Sequence, residues 1–241
     1  MKSKLKIGFV SHTEHSSFAF PPPRLLLSGR TRPPSNRAVQ ACPAVNTHEK
    51  RIIEILAPFS LQMRCLTNSK GGYDFHLVDQ GTRIDADLIS QFVSFMPREI
   101  WRNPKAPVVQ ITLPHIFVSD EPCYLTQLPA WASEDAASIP GQFISGRFPA
   151  DVWPRTLNLS FEWSNLNSDF RMKRGSAVCY LLAETPDLTQ EISLVEASMT
   201  EDLKSYISKM EGVVKFTSGS FGLFDRAREV RPASLLSEIE R

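Results

Sequence analysis

The sequence predicts a mainly β fold of the α+β kind, an antiparallel sandwich or barrel with one inserted helix and a helical C-terminal segment. Three observations carry this. Eighteen prolines against eleven glycines fall at almost every junction between short apolar runs up to Pro186. Proline fixes φ and withholds a ladder donor, so it punctuates strands. Residues 156–163 alternate apolar and polar, the period of a half-buried strand. A helical apolar period shows only over 84–96 and after Ser198.

Taken in chain order, the runs that read as strands are 5–10, 52–56, 60–66, 74–78, 108–118, 123–128, 156–163, 170–173, 177–183 and 192–197. Short strands with turn signals between them suggest a sandwich or barrel. Leu157, Leu159, Phe161 and Trp163 share one face of their strand. After the Asn- and Ser-rich 164–168, Phe170 and Met172 predict a hairpin back onto that strand. The near-continuous apolarity of 177–183 suits a strand covered on both faces. Ile84, Leu88, Ile89, Phe92 and Phe95 form a helical stripe that Pro97 stops, although a strand pair also fits. Ser198 and Glu201 form a capping box, followed by Leu203, Ile207 and Met210 at helical spacing, with Gly212 as the stop. The organisation is therefore a β domain over 1–197 and a helical segment over 198–241.

At 42% hydrophobic and 22% charged residues, the 241-residue chain has a globular composition. Its net charge of +1 provides no basic stripe for nucleic acid, so no nucleic-acid partner is expected. The apolar run 7–10 is too short for a secretory core, and no window reaches the ~18 apolar residues of a membrane helix. A cytoplasmic protein with no membrane partner is expected. Cys42, Cys65, Cys123 and Cys179 have neither disulfide-framework nor zinc-ribbon spacing.

Residues 21–36 show neither period and read as a long loop. It is either a solvated connection or a lid with Arg24, Arg30 and Arg32 facing an anion. His12, Glu14 and His15 could ligate a metal if tightly turned, with His48 or His115 added; the ligand set is incomplete, so no metal or other cofactor is expected. Cys42 could be an activated thiolate if His48 folded onto it, and is otherwise a packed apolar side chain. Gly219-Ser220-Phe221-Gly222 lacks the residue that a nucleophile elbow needs before Ser. Lys70-Gly71-Gly72 reads as a turn, and no phosphate-loop motif occurs. Asp151 and Glu162, with Arg147, Arg155 and Arg171 nearby, form either a salt-linked surface or an anion pocket beside Trp153. Trp101, Trp131, Trp153 and Trp163 suit packing more than base stacking.

Two resemblances add to this reading. Cys42-Pro43-Ala44-Val45-Asn46-Thr47-His48 followed by Glu54-Ile55-Leu56-Ala57-Pro58-Phe59 resembles the opening signature of an uncharacterised bacterial family, a domain of unknown function. The likeness continues through 110–128 and 141–182. It implies a shared fold and no particular activity.

Residues Gly146-Arg147-Phe148-Pro149-Ala150-Asp151-Val152-Trp153-Pro154-Arg155, with Phe170-Arg171-Met172-Lys173-Arg174-Gly175, resemble the late strands of the dUTPase and dCTP deaminase β-clip. That resemblance implies a β-clip-like barrel in which Gly146, Asp151 and Trp153 shape a pocket for base and sugar. The family's Pro-Arg-Ser-Gly motif and Gly-rich C-terminal arm are absent, and Ser176 follows Gly175 where Asp is usual. The expectation is a small-ligand-binding or interaction domain, with Gly146, Asp151, Trp153 and Arg155 as ligand-binding residues and a small anion as ligand. The alternative is an enzyme, either a His-dependent metalloenzyme or a nucleotide-directed hydrolase. The C-terminal stripe either packs back on the barrel or forms a homo-oligomer, and its charges of alternating sign favour the latter.

Overall fold

The computed structural model describes residues 4–11, 20–29, 39–78, 86–187, 189–216 and 220–239. Its strands are β1 (Lys4–Ser11), β2 (Arg24–Leu25), β3 (Ile52–Leu56), β4 (Leu61–Thr67), β5 (Tyr73–Leu77), β6 (Val93–Phe95) and β7 (Val108–Val118). They continue with β8 (Tyr124–Leu128), β9 (Gln142–Ile144), β10 (Arg147–Pro149), β11 (Thr156–Glu162), β12 (Phe170–Met172), β13 (Ala177–Glu184) and β14 (Glu191–Glu196). The helices are α1 (Pro43–Glu49), α2 (Ala86–Phe92), α3 (Glu201–Phe216) and α4 (Ser220–Val230).

The strands form curled sheets, a mainly β architecture. The first sheet has the order β14-β1-β7-β11-β9, with β6 also on β7; the second is β10-β8-β13-β3-β2 and the third β12-β4-β5. Among the described strand pairs only β1–β14 is parallel. The main core lies between the sheets. Leu157, Leu159 and Phe161 of β11 share one buried cluster with Leu5 and Ile7 of β1, Ile53 and Ile55 of β3, Leu181 of β13 and Met63 of β4. The apolar face of 156–163 is thus fully buried, and β11 is central between β7 and β9.

The expected hairpin between β11 and β12 does not form. β12 pairs with β4 in the third sheet, and Phe170 stacks on Phe161 across the core at 5.4 Å. The physical reason is Asp169. Its buried carboxylate accepts from Gln62 Nε2 and Arg64 Nε, both at 2.7 Å, and this ties the chain to β4. The helix expected over 84–96 ends at Phe92, where the chain becomes β6 on β7.

The cap of α3 is Thr200, whose Oγ1 accepts from the Leu203 backbone N–H at 3.2 Å. Ser198 donates instead to the Ser237 carbonyl oxygen. Gly212 lies inside α3 and does not end it. The apolar stripe of α3 packs back on the β body: Leu203, Tyr206 and Met210 are buried with Val10, Ile116, Val152 and Ala227. Tyr206 Oη lies 2.5 Å from the Val152 oxygen and 3.0 Å from that of Ala227, tying α3 to α4 and to the 150–154 turn. No helix among the described residues is long and apolar enough to cross a membrane.

Candidate functional site

At Ser145-Gly146 the chain leaves β9 of the first sheet and enters β10 of the second. A pocket of about 230 Å³ opens at this seam, lined by Gln127, Gly146, Trp153, Arg155, Asn158 and their neighbours on β7, β9, β10 and β11. The β7–β11 ladder is irregular where β11 begins. Thr156 faces Ile116 whereas Leu157 faces Leu113, so Pro114 and His115 are left over on β7. Pro114 has no N–H to give to the ladder, so the extra residues fall where one donor is already missing.

Arg155 emerges where β11 begins. Its guanidinium carbon sits 4.7 Å from the centre of the Trp153 ring, a cation–π stack. With the Asn158 amide in the orientation that satisfies both of its ends, Asn158 oxygen accepts from Arg155 Nη2 at 2.9 Å and its nitrogen donates to the Leu157 oxygen. Burial lowers the Arg155 pKa from its ordinary value. Among the described residues no carboxylate pairs with it. Trp153 is held from behind by Phe224 of α4, edge to face at 5.5 Å.

Gln127 of β8 is 8% exposed. Its Nε2 donates to the Asn158 backbone carbonyl oxygen at 2.6 Å and so bridges the two sheets. Its backbone N–H donates to the Gly146 oxygen at 2.8 Å, and Ser145 Oγ donates to its carbonyl. Its Oε1 accepts from no described residue, and it faces Gly146, where an added Cβ would lie 3.1 Å away.

Three of the four residues predicted to bind a ligand thus line one pocket: Gly146, Trp153 and Arg155. Asp151 does not. Its carboxylate accepts from the Cys123 backbone N–H at 3.4 Å, and its carbonyl accepts from Arg231 Nε at 2.6 Å, which makes it part of the turn that anchors the C-terminal end. Gln127 was not among the expected residues. Inside an alternating strand its polar side chain resembles any solvent-facing one, and only the sheet-to-sheet approach distinguishes it.

Elsewhere the candidates are used structurally. Arg24 pairs with buried Glu54 at 2.8 Å, Glu162 with Arg102 at 2.7 Å, and Arg171 lies against Asp169. Arg147 stacks on Tyr124 and pairs with Glu184. Gly71 adopts φ +74° in the 68–72 turn closed by Asn68. His48 lies against Trp131, with ring centres 5.7 Å apart, while Cys42 is exposed. Burial pushes the Cys65, Cys123 and Cys179 thiols up to about 12, which removes them as nucleophiles at neutral pH. Arg30, Arg32, His12, Glu14 and His15 lie outside the described residues. Among the described residues no cluster of three metal-ligating side chains occurs.

A wider recess of about 700 Å³ lies beside Lys50 and Arg51. There the Arg51 guanidinium donates to the Ala183 oxygen at 2.8 Å, the Gln190 oxygen at 2.9 Å and Thr185 Oγ1 at 2.7 Å. Size alone therefore does not mark a binding site. Compared with protein-family models, curated proteins and solved structures, the chain matches none.

Proposed function

We propose that the chain is a small-ligand-binding β domain and that the pocket at the β9–β10 seam takes a small anion. The observation that carries this is Arg155. A half-buried guanidinium that lacks a carboxylate partner among the described residues gives up hydration without full compensation, and an incoming anion restores it. Stacking on Trp153 leaves the edge of the planar fork for bidentate contact with a carboxylate or phosphate. The volume is about 230 Å³. A ligand of about one ring or a short acid fits, with Trp153 and Leu157 as apolar wall.

The test is thermal unfolding with inorganic phosphate, propionate and benzoate, followed by titration calorimetry of any that stabilise. At a hundred times its dissociation constant an anion raises stability by about 2.7 kcal/mol, on the order of 5–10 °C for a chain of this size. The expected result is such a shift in the wild type and its loss in Arg155→Gln. No shift with any anion, or a shift that survives Arg155→Gln, overturns the proposal.

A further inference from the structure

We infer that the ligand carries, besides its anionic group, an N–H or O–H donor that is read by Gln127 Oε1. The inference rests on the anion-site reading and deepens it from charge to substrate class. Gln127 is more than nine-tenths buried and lines the pocket. Its amide cannot turn over freely, because Nε2 is held by the Asn158 carbonyl oxygen at 2.6 Å and its main chain is clamped on both sides by Ser145 and Gly146. The orientation of the acceptor is therefore fixed: nitrogen toward the first sheet, oxygen toward the pocket at Gly146.

That oxygen accepts no hydrogen bond from the described residues, although it has two lone pairs to fill. Gly146 is what keeps it reachable. Its φ is not positive, so glycine is not required there by the backbone. Space is the stronger reason: a Cβ at 146 would stand 3.1 Å from Oε1 and cover it.

The pocket thus presents a fixed cationic donor array, Arg155, and a fixed neutral acceptor, Gln127 Oε1. A plain anion satisfies the first and leaves the second to water. A hydroxy acid, an amide-bearing acid or a hydroxylated phosphate ester satisfies both. Sites built to hydrogen-bond a polar group discriminate against the analogue that lacks it, because the buried partner is then left without a bond.

The test uses matched pairs that differ only in the donor: propionate and lactate, benzoate and 3-hydroxybenzoate, propyl phosphate and glycerol 3-phosphate. Dissociation constants are measured by calorimetry on the wild type, Gly146→Ala, Gln127→Met and Arg155→Gln. The inference predicts that the donor-bearing member of at least one pair binds the wild type about tenfold tighter than its twin, and that the ratio falls to about one in Gly146→Ala. Gly146→Ala keeps the Gln127–Asn158 bond, so it remains informative if Gln127→Met does not fold. Arg155→Gln should abolish binding of both members. Equal binding of both members to the wild type, lost in Arg155→Gln, would overturn the donor inference and leave the anion site standing. No binding by any of the six would overturn the anion site and the inference with it.

Discussion

Two arginines, one buried and one half-buried, differ in how the loss of their hydration is compensated. Arg51, at the start of β3, is 7% exposed and donates to Ala183, Thr185 and Gln190, joining them to β3. Arg155, at the start of β11, is stacked on Trp153 and bonded to one amide. Burial lowers the pKa of both. At Arg51 the cost of desolvation is offset by carbonyls fixed in the fold, whereas at Arg155 the offset is incomplete. Arg51 places its donors inside the fold, whereas Arg155 lines the seam pocket.

The sharpest contrast to either arginine is the apolar core, which holds the largest expected loss. Phe161 is fully buried and packs on Phe170 and Trp163. Phe161→Ala should destabilise the protein by about 3–5 kcal/mol in urea unfolding. Arg51→Gln comes next at about 3 kcal/mol, because it strands buried acceptors on β13 and beyond.

A third prediction concerns His115, one of the residues left over opposite the start of β11. It is fully buried between Phe9 and Phe20, and neither ring nitrogen makes a hydrogen bond. Burial holds its pKa down to about 4 from an ordinary 6.5. The folded state therefore keeps it neutral while the unfolded chain takes up a proton below about pH 6.5. Its contribution to stability is complete above that pH and is lost progressively as pH falls toward 4. Between pH 7 and pH 5 the loss should be about 2 kcal/mol, at 1.36 kcal/mol per pH unit below 6.5. His115→Leu should remove that slope; an unchanged slope would mean that another group carries it.

Much of this fold is legible in the sequence, and the parts that are not share a cause. All ten runs read as strands are strands, because each has enough apolar residues to declare a face. Those missed, β2, β6, β9 and β10, are two or three residues long, too short to show a period. They exist because neighbouring strands offer them an edge. The mispaired β12 has the same origin, since pairing with β4 is decided by Gln62 and Arg64 reaching Asp169 from more than a hundred residues away.

In the candidate pocket, Gly146, Trp153 and Arg155 come from one short stretch of sequence, and Arg155 and Trp153 are close enough in sequence to stack. Asp151 shares that stretch, yet the turn directs it to Cys123. Gln127 became meaningful only when β8 and β11 were brought within one hydrogen bond of each other.

The proposed anion site is tested most directly by unfolding free energies of Arg155→Gln and Arg51→Gln measured side by side, each with and without an anion found to stabilise the wild type. It predicts that Arg155→Gln changes stability by less than about 1 kcal/mol and abolishes the anion's effect. Arg51→Gln should lose about 3 kcal/mol and keep that effect. A loss at Arg155→Gln as large as that at Arg51→Gln, with the anion's stabilisation intact, would contradict it.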